Sequence, residues 1–465
     1  MNNKRKKNKA VKLFEVFLNI LILVLIYLVM WFVAYRPYLL VPLYKKGIAL
    51  LVLIYATIYA MFSNIYGGYK VGHVRVSEII YSQFLAMFIA NGLAFFQICL
   101  IDRRIVKLVP ILILTVIDII VIVIWAFWSN KRYQKRNPQK EITIIYGEGI
   151  PCDLISKMKV YWYRFKINSA INEKRGLKYI KEKIGRNNGI VLCNVSPEIR
   201  KELVKYCFEN SIPNYIIPDV SDIIIRGAET VNLLDTPLLL CDNGEISLIE
   251  GFLKRCFDLV FSIFALILAS PFMILTAIAI KVQDGGPVLF KQKRLTIGGK
   301  IFEVYKFRSM IVNAEKDGVA RLAQENDDRI TAVGKFIRKV RLDELPQLFN
   351  IIKGDMSIVG PRPERPELTE QYKQTMPEFE YRLKVKAGLT GYAQVLGRYN
   401  TTPYDKLMLD MMYIEQYSFF LDIQLIFMTV KILFMRESTQ GLADGETTAN
   451  EREYIILDEK KHLNL

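Results

Sequence analysis

Four apolar segments, each close to the length that crosses a bilayer, constrain this chain more than any other feature of its sequence. They cover roughly Leu13–Tyr35, Gly47–Tyr66, Ile79–Ile101 and Val106–Trp128. A helix needs about 20 mostly apolar residues to span the hydrocarbon core of a membrane. The first segment is too long for a signal peptide and lacks a small-residue cleavage site, so we expect it to be retained as an anchor. The pattern predicts a four-helix transmembrane bundle within residues 1–135.

The basic residues of the chain lie mainly beside these apolar segments. The net charge is +17, and such an excess is typical either of nucleic-acid binding or of anchoring against anionic lipid. The flanking positions favour lipid and exclude nucleic acid as a partner. They also place both ends of the bundle on the cytoplasmic side, although the external loops carry some basic residues as well. The flanking residues are Lys4, Arg5, Lys6, Lys7, Lys9, Lys12, Lys131, Arg132, Lys135, Arg136 and Lys140.

The small number of histidines and the spacing of the cysteines exclude several kinds of catalytic or structural site. The chain of 465 residues has only two histidines, His73 and His462, and six scattered cysteines without a Cys-x-x-Cys pair. A Ser-His-Asp triad, a histidine-based zinc site and a disulfide framework are therefore excluded. We expect catalysis to use carboxylates, Lys, Arg, Tyr and a hard metal ion.

Residues 136–250 have the pattern of a small Rossmann-like α/β domain in the cytoplasm. Short apolar strands are predicted at Ile142–Tyr146, Gly189–Cys193 and Pro237–Cys241, and a further strand at Tyr215–Ile217. A helical pattern covers Pro197–Asn210. Strands that alternate with helices predict a parallel sheet.

A short glycine-containing turn follows the first predicted strand of this domain. Gly147-Glu148-Gly149 stands where a nucleotide-binding turn would lie, but Cys152 occupies the position of the third glycine. A turn in a regulatory or dimerising domain is the favoured interpretation.

A fifth apolar segment, Phe257–Ile280, is interrupted by Ser270 and Pro271. Proline removes a backbone donor from a helix, and Ser270 can donate a hydrogen bond to a carbonyl group that this leaves free. The two limbs would each be shorter than a bilayer core of about 30 Å. A kinked spanning helix is the alternative, but it would move all later residues outside, away from cytosolic nucleotides. We therefore favour a re-entrant helix hairpin over residues 257–280.

Two adjacent carboxylates, Asp343 and Glu344, precede a short apolar helix. Asp343 has a purely structural interpretation as the N-cap of a helix that runs from about Glu344 to Ile352 and ends at Gly354. Its alternative role is that of a nucleophile or magnesium ligand, which would keep a low pKa and stay ionised at that helix end.

Positively charged side chains surround the two carboxylates in the sequence. Arginine and lysine bind phosphate oxygens and neutralise charge when one anion attacks another. Each alone would more often face solvent or form a salt bridge, but together they predict a pyrophosphate site. The candidates are Lys306, Arg308, Arg329, Arg338, Arg341 and Arg362.

From about Leu253 to Met435 the sequence resembles the bacterial monotopic phosphoglycosyl transferases, which are polyprenyl-phosphate hexose-1-phosphate transferases. Four N-terminal helices and an α/β domain are similar to the large members of that family. One departure is Ala387, where many relatives carry proline. The matching motifs are Lys254–Asp258, Ser270-Pro271, Gly286–Phe290 with Gln292 and Arg294, Lys306–Met310, Arg341–Asn350, Gly354–Pro363 and Gly388–Gly391.

The resemblance implies a reaction and its substrates. A sugar-1-phosphate would pass from a UDP-sugar to undecaprenyl phosphate with release of UMP, as the first step of capsule, exopolysaccharide or O-antigen synthesis. Asp343 would be the nucleophile that forms a phosphosugar-aspartyl intermediate. Glu344 would be its partner and assist through magnesium or proton handling, and both carboxylates are the candidate Mg²⁺ ligands. Arg362 is the strongest candidate for holding the donor pyrophosphate.

The resemblance also completes the predicted architecture. The fold class is a membrane protein with a four-helix transmembrane bundle, a small α/β domain and an α+β catalytic domain with a re-entrant helix hairpin. The catalytic domain would cover residues 251–440, and a polar tail residues 441–465. The protein would lie in the bacterial inner membrane with both terminal domains in the cytoplasm, and a homodimer is a further expectation.

Two rival functions remain open at this point. A glycosyltransferase would release UDP, but it ordinarily holds its metal with an Asp-x-Asp motif, which this sequence lacks. A non-catalytic scaffold that binds a nucleotide through its α/β domain would leave the motifs after Leu253 unexplained.

Overall fold

The fold is that of a computed structural model, which describes residues 2–40, 43–149, 152–160, 163–184, 189–241, 246–312, 327, 329–397 and 401–433. The chain divides into two compact units, and the division falls between Ile217 and Pro218. The predicted boundary between the α/β and catalytic domains lies later, at residues 250 and 251. The predicted tail, residues 441–465, lies outside the described residues.

The first unit begins with four long helices, α1 (Asn2–Met30), α2 (Lys45–Ile65), α3 (Val76–Asp102) and α4 (Val109–Arg136). Helix α1 continues through a π turn at Trp31–Tyr35. All four predicted apolar segments are therefore helical. Each helix is long and apolar enough to cross a membrane, as is one further helix described below. This composition is that of a membrane protein.

A parallel sheet of four strands follows in the same unit. Its strands are β1 (Lys140–Tyr146), β2 (Phe165–Asn172), β3 (Gly189–Cys193) and β4 (Asn214–Ile216), in the order β2-β1-β3-β4. The sheet confirms the predicted α/β domain. Sequence analysis missed β2 because it lies at the edge of the sheet and half of its side chains are polar. The accompanying helices are α5 (Cys152–Val160), α6 (Leu177–Lys183) and α7 (Pro197–Glu209).

The second unit opens with a helix and a hairpin rather than with a further strand of the parallel sheet. Helix α8 (Val220–Gly227) precedes β5 (Glu229–Leu233) and β6 (Thr236–Leu240), which pair antiparallel. The prediction that Pro237–Cys241 joins the parallel sheet is wrong. A short apolar run fits a buried parallel strand and an exposed hairpin equally well, and here every residue of both strands is exposed.

Helix α9 (Leu248–Asp284) is continuous through Pro271, although the sequence predicted two limbs at this point. The Ser270 hydroxyl donates to the carbonyl oxygen of Ile267 at 2.8 Å. That carbonyl is the one that a residue with an N–H at position 271 would have bonded. Ser270 therefore compensates for the missing donor of Pro271, as the sequence predicted.

Helix α9 contacts the rest of the second unit on both sides of Pro271. Before it, the Asp258 carboxylate accepts from the Ile358 amide at 3.1 Å. After it, Ile280 packs with Phe307 and Ile337 in a buried apolar cluster.

The rest of the second unit is a small α+β domain with one main apolar core. An antiparallel hairpin, β7 and β8, and a short parallel pair, β9 and β10, supply its strands. Its elements are β7 (Leu289–Leu295), β8 (Ile301–Phe307), α10 (Ala332–Lys339), α11 (Gln347–Lys353), β9 (Ser357–Val359), α12 (Pro366–Thr375), β10 (Gly388–Thr390), α13 (Tyr392–Leu396), α14 (Pro403–Glu415) and α15 (Phe419–Leu433).

Candidate active site

The two adjacent carboxylates lie in a 3₁₀ turn, Leu342–Glu344, between α10 and α11. Arg341 enters this turn with a left-handed φ of 55°, a conformation that costs a non-glycine residue roughly 1–3 kcal/mol. Helix α11 begins only at Gln347 and ends at Gly354, whose φ is 99°. The prediction that Asp343 caps a helix starting near Glu344 is therefore wrong, because the chain makes a separate turn first.

Glu344 is the centre of a cluster of positive charge. Its Oε1 lies 2.7 Å from Nη2 of Arg362 and 3.5 Å from Nζ of Lys306. Its Oε2 lies 3.6 Å from Nη1 of Arg341. These cations come from β8, from the turn itself and from the chain after β9. Only tertiary folding brings them together around one carboxylate.

The other three predicted cations have different surroundings. Arg338 lies close enough to Asp343 to lower the pKa of that carboxyl. Arg329 instead makes two hydrogen bonds to the Asp327 carboxylate, at 2.8 and 2.6 Å. Arg308 forms an ion pair with Asp284 at the end of α9. The structure therefore brings four of the six predicted cations to the carboxylate pair, and Arg308 and Arg329 bind other carboxylates.

The two carboxyl groups differ in protonation. Burial, together with the neighbouring charge of Glu344, raises the pKa of Asp343 to about 6. Burial acts in the same direction on Glu344, but Arg362, Lys306 and Arg341 together hold its pKa well below the ordinary value. The prediction of a low pKa for Asp343 is therefore wrong, because the cations neutralise mainly its neighbour. Glu344 stays ionised, and Asp343 titrates close to neutral pH.

Asn350 fixes the carboxylate turn to β8. Its side chain is fully buried, its Nδ2 donates to the Glu303 carbonyl at 2.7 Å, and its Oδ1 accepts from the Tyr305 amide at 2.9 Å. Because β7 is the partner of β8 among the strands that the structure describes, Asn350 satisfies backbone groups at the free edge of β8. Sequence analysis assigned no role to Asn350. An amide inside an otherwise apolar helix was the signal that could have revealed it.

Arg362 is held by a second set of contacts, which sequence analysis also missed. Its carbonyl accepts from Nη2 of Arg382 at 2.9 Å, and that guanidinium pairs with the buried Asp410 at 2.6 Å. The Gly360 amide donates to the Thr390 carbonyl in β10. A β-carbon added at position 360 would lie 2.3 Å from the Lys386 carbonyl oxygen. Residue 360 must therefore remain glycine for Arg362 to reach Glu344.

The carboxylate pair fits a magnesium ion that arrives with a phosphorylated substrate. Mg²⁺ usually takes one or two protein carboxylates and completes its shell with phosphate oxygens and water. Within the described part of the chain, Asp343 makes no hydrogen bond or ion pair, so its oxygens are available. Glu344 would contribute only by sharing Oε1 with Arg362 and Lys306 or Oε2 with Arg341.

In the α/β domain, the position where Rossmann-like folds bind phosphate is occupied by a side chain of the protein itself. The Glu173 carboxylate accepts from the amide and the hydroxyl of Ser196, at 2.8 and 2.9 Å, at the start of α7. Helix N-termini at the carboxyl ends of parallel strands are the usual phosphate sites of Rossmann-like domains. In this domain a protein carboxylate already takes the place of a phosphate.

Comparison with known proteins gives the family. The family model for bacterial sugar transferase matches residues 249–436, which include α9 and the whole candidate site. A Bacillus subtilis protein, provisionally named as an undecaprenyl-phosphate N-acetylgalactosaminyl 1-phosphate transferase, is 48% identical over 131 residues. These are 28% of this chain and 73% of that protein. The chain belongs to the bacterial sugar transferase family.

Longer members of the bacterial sugar transferase family match as well. UDP-N-acetylgalactosamine-undecaprenyl-phosphate N-acetylgalactosaminephosphotransferase of Aeromonas hydrophila is 40% identical over 49% of this chain and 53% of its own. UDP-glucose:undecaprenyl-phosphate glucose-1-phosphate transferase of Escherichia coli K12 is 40% identical over 50% of each chain. The match thus spans about half the length of these relatives.

Proposed function

We propose that this protein transfers a sugar-1-phosphate from a UDP-sugar to undecaprenyl phosphate and releases UMP. The names of its relatives supply the substrates, and they include both N-acetylgalactosamine and glucose donors. The observation that carries the proposal is the pairing of an unengaged Asp343 with a Glu344 that gathers three cations. Such a site offers a nucleophile next to a preformed pyrophosphate-binding cluster.

In the first step Asp343 is the nucleophile. A carboxylate oxygen attacks the phosphorus that bears the sugar, the new oxygen–phosphorus bond forms, and the bridging pyrophosphate bond breaks. UMP leaves with the electron pair of that bond. Arg362, Lys306 and Arg341 are placed to neutralise the charge of donor and leaving group. A pKa of about 6 leaves most of Asp343 ionised at pH 7.

In the second step a phosphate oxygen of the lipid acceptor attacks the same phosphorus. The bond to Asp343 breaks, the carboxylate is regenerated, and a new pyrophosphate links lipid and sugar. Dividing the transfer in this way lets a water-soluble donor and a membrane acceptor react in turn. A bound Mg²⁺, held by Asp343 and Glu344, would supply further neutralisation of phosphate charge.

We also propose that α9 is re-entrant and that the catalytic domain lies on the cytoplasmic side of the bacterial inner membrane. A spanning helix would place its two ends on opposite faces of a core of about 30 Å. Here Asp258 bonds to Ile358 before Pro271, and Ile280 packs on Phe307 after it. Contact of both limbs with the same domain supports entry and exit through one leaflet. Of the five candidate helices in the described residues, the four N-terminal ones would then span the membrane.

An assay of the nucleotide product tests the proposed reaction. Purified protein with a panel of UDP-sugars, undecaprenyl phosphate and Mg²⁺ should release UMP, whereas a glycosyltransferase would release UDP. Asp343→Asn should abolish UMP release, since an amide is not a nucleophile here. Asp405→Asn, a matched change in α14, should retain it. Turnover by Asp343→Asn equal to that of wild type would exclude the aspartyl intermediate.

Cysteine labelling tests the membrane arrangement. In a cysteine-free background, Ser247→Cys and Gln283→Cys should both react with a membrane-impermeant reagent from the cytoplasmic face only. Labelling from opposite faces would show that α9 spans the membrane. The mass of the purified protein in detergent tests the homodimer, which stays a prediction.

A further inference from the structure

Arg308 is buried with most of its hydrogen-bonding capacity unused. It is 8% exposed, and its Nη2 pairs with Asp284. Its Nε and Nη1 have no acceptor among the residues that the structure describes. These two nitrogens carry three N–H groups. Leaving buried charged donors without partners is unfavourable, so their state suggests that a ligand completes the site.

Arg308 lies on the same strand end as Lys306, which pairs with Glu344, but its own partner is Asp284. It follows Lys306 by two residues, and its amide bonds to the Val288 carbonyl at 2.9 Å, which continues the β7–β8 pairing past the end of β8. Residues two apart in an extended chain project to the same face. The intervening Phe307 packs in the cluster that contains Leu342, the residue before Asp343. Lys306 and Arg308 thus have different partners, Glu344 for the first and Asp284 for the second.

The backbone at Gly286 leaves room for this guanidinium. A β-carbon at 286 would lie 2.4 Å from Nη1 of Arg308 and 2.9 Å from its Cζ. Any side chain there would displace the arginine, so the bare backbone is part of the site.

The location of Arg308 distinguishes the two substrates. Its ion-pair partner, Asp284, is the last residue of α9. The preceding residues of that helix expose large apolar side chains, among them Ile278 and Val282. A phosphate carried on a lipid chain would reach Arg308 along this apolar surface, whereas a soluble nucleotide would not need it.

We infer that Arg308 binds the phosphate monoester of the lipid acceptor, whereas the cations around Glu344 hold the pyrophosphate of the donor. This inference rests on the proposed function. It gives the lipid phosphate that attacks in the second step its own positive charge, while the cations around Glu344 remain available to the phosphosugar bound to Asp343. Arg308 would orient the acceptor oxygen and take no part in release of UMP.

The two half-reactions can be measured separately. UMP release in a single turnover without acceptor reports the first step, and formation of lipid-linked sugar at varied undecaprenyl phosphate reports the second. For Arg308→Met we expect a normal burst of UMP and a KM for undecaprenyl phosphate that is roughly 10- to 100-fold higher, the effect of losing hydrogen bonds to a charged group. Arg308→Lys, which keeps the charge, should lose less.

Gly286→Ala tests the same site without changing any charge. It should reproduce the higher KM for undecaprenyl phosphate with a normal UMP burst. Gly251→Ala is the matched control, because an added β-carbon there meets no atom within 4 Å, and both steps should be unchanged.

Equal losses of both steps in Arg308→Lys and Gly286→Ala would overturn the assignment to the acceptor, as would unchanged kinetics in Arg308→Met. A wild-type protein that released no UMP with any UDP-sugar would instead overturn the proposed function, and this inference with it.

Discussion

Replacing Asn350 by leucine should destabilise the second unit and move the catalytic turn. The leucine side chain has the branched shape of asparagine, although it is larger, and it would leave the partly buried Glu303 carbonyl and Tyr305 amide without partners. Each unsatisfied group costs about 1–3 kcal/mol, so the pair should lower the free energy of unfolding by about 2–6 kcal/mol. For a unit of this size that corresponds to a fall in Tm of about 4–24 °C.

The same change should reduce catalysis, because Tyr305 directly precedes Lys306. A misplacement of about 1 Å in an active site can reduce the rate by roughly 100-fold. Apparent Tm in detergent, measured at one scan rate, and the rate of UMP release at a temperature below both transitions would test the two effects. Asn232→Leu is the control, since Asn232 is exposed in β5 and should change stability by less than about 0.5 kcal/mol.

An Asn350→Leu protein with the Tm and rate of wild type would refute this reasoning. It would mean that water satisfies the free edge of β8 and that α11 does not position the strand.

Two further predictions concern buried ion pairs outside the carboxylate turn. Lys254→Met should lower the free energy of unfolding by about 3–5 kcal/mol, because it leaves the buried Asp422 carboxylate without its cation, which lies 2.5 Å away in the wild type. Adding Asp422→Leu should restore part of the Tm. A double variant whose Tm does not recover would count against the pairing. Burial, although opposed by Arg382, raises the pKa of Asp410 to about 6. The folded protein therefore binds the proton of Asp410 more tightly than the unfolded chain does. The stability gained from this proton is full below the pKa of Asp410 in the unfolded chain and is lost as pH rises through 6. The Tm of wild type should consequently fall more between about pH 4 and 6 than that of Asp410→Asn, and parallel pH profiles would contradict the shift.

The sequence was sufficient for the features that depend on local pattern and on ordered motifs. Apolar runs of about 20 residues predict helices because backbone groups in a membrane must bond within their own segment. Helices α2 and α3 begin and end close to the predicted limits, whereas α1 begins well before Leu13 and α4 ends well after Trp128. Ser270 beside Pro271 predicted its own hydrogen bond, because a hydroxyl next to a proline can reach the carbonyl that the proline leaves free. Asp343 and Glu344 followed from the family motifs.

The tertiary structure alone decided which charges meet. Sequence analysis gave Arg308 and Arg362 the same phosphate-binding role, but one pairs with Asp284 of α9 and the other with Glu344 of the turn. The higher pKa of Asp343 and the hairpin of β5 and β6 were likewise not readable from the sequence. The local sequence pattern indicates which interactions a side chain is able to make. Its actual partner and its burial depend on segments far away in the chain, which only the folded structure brings into contact.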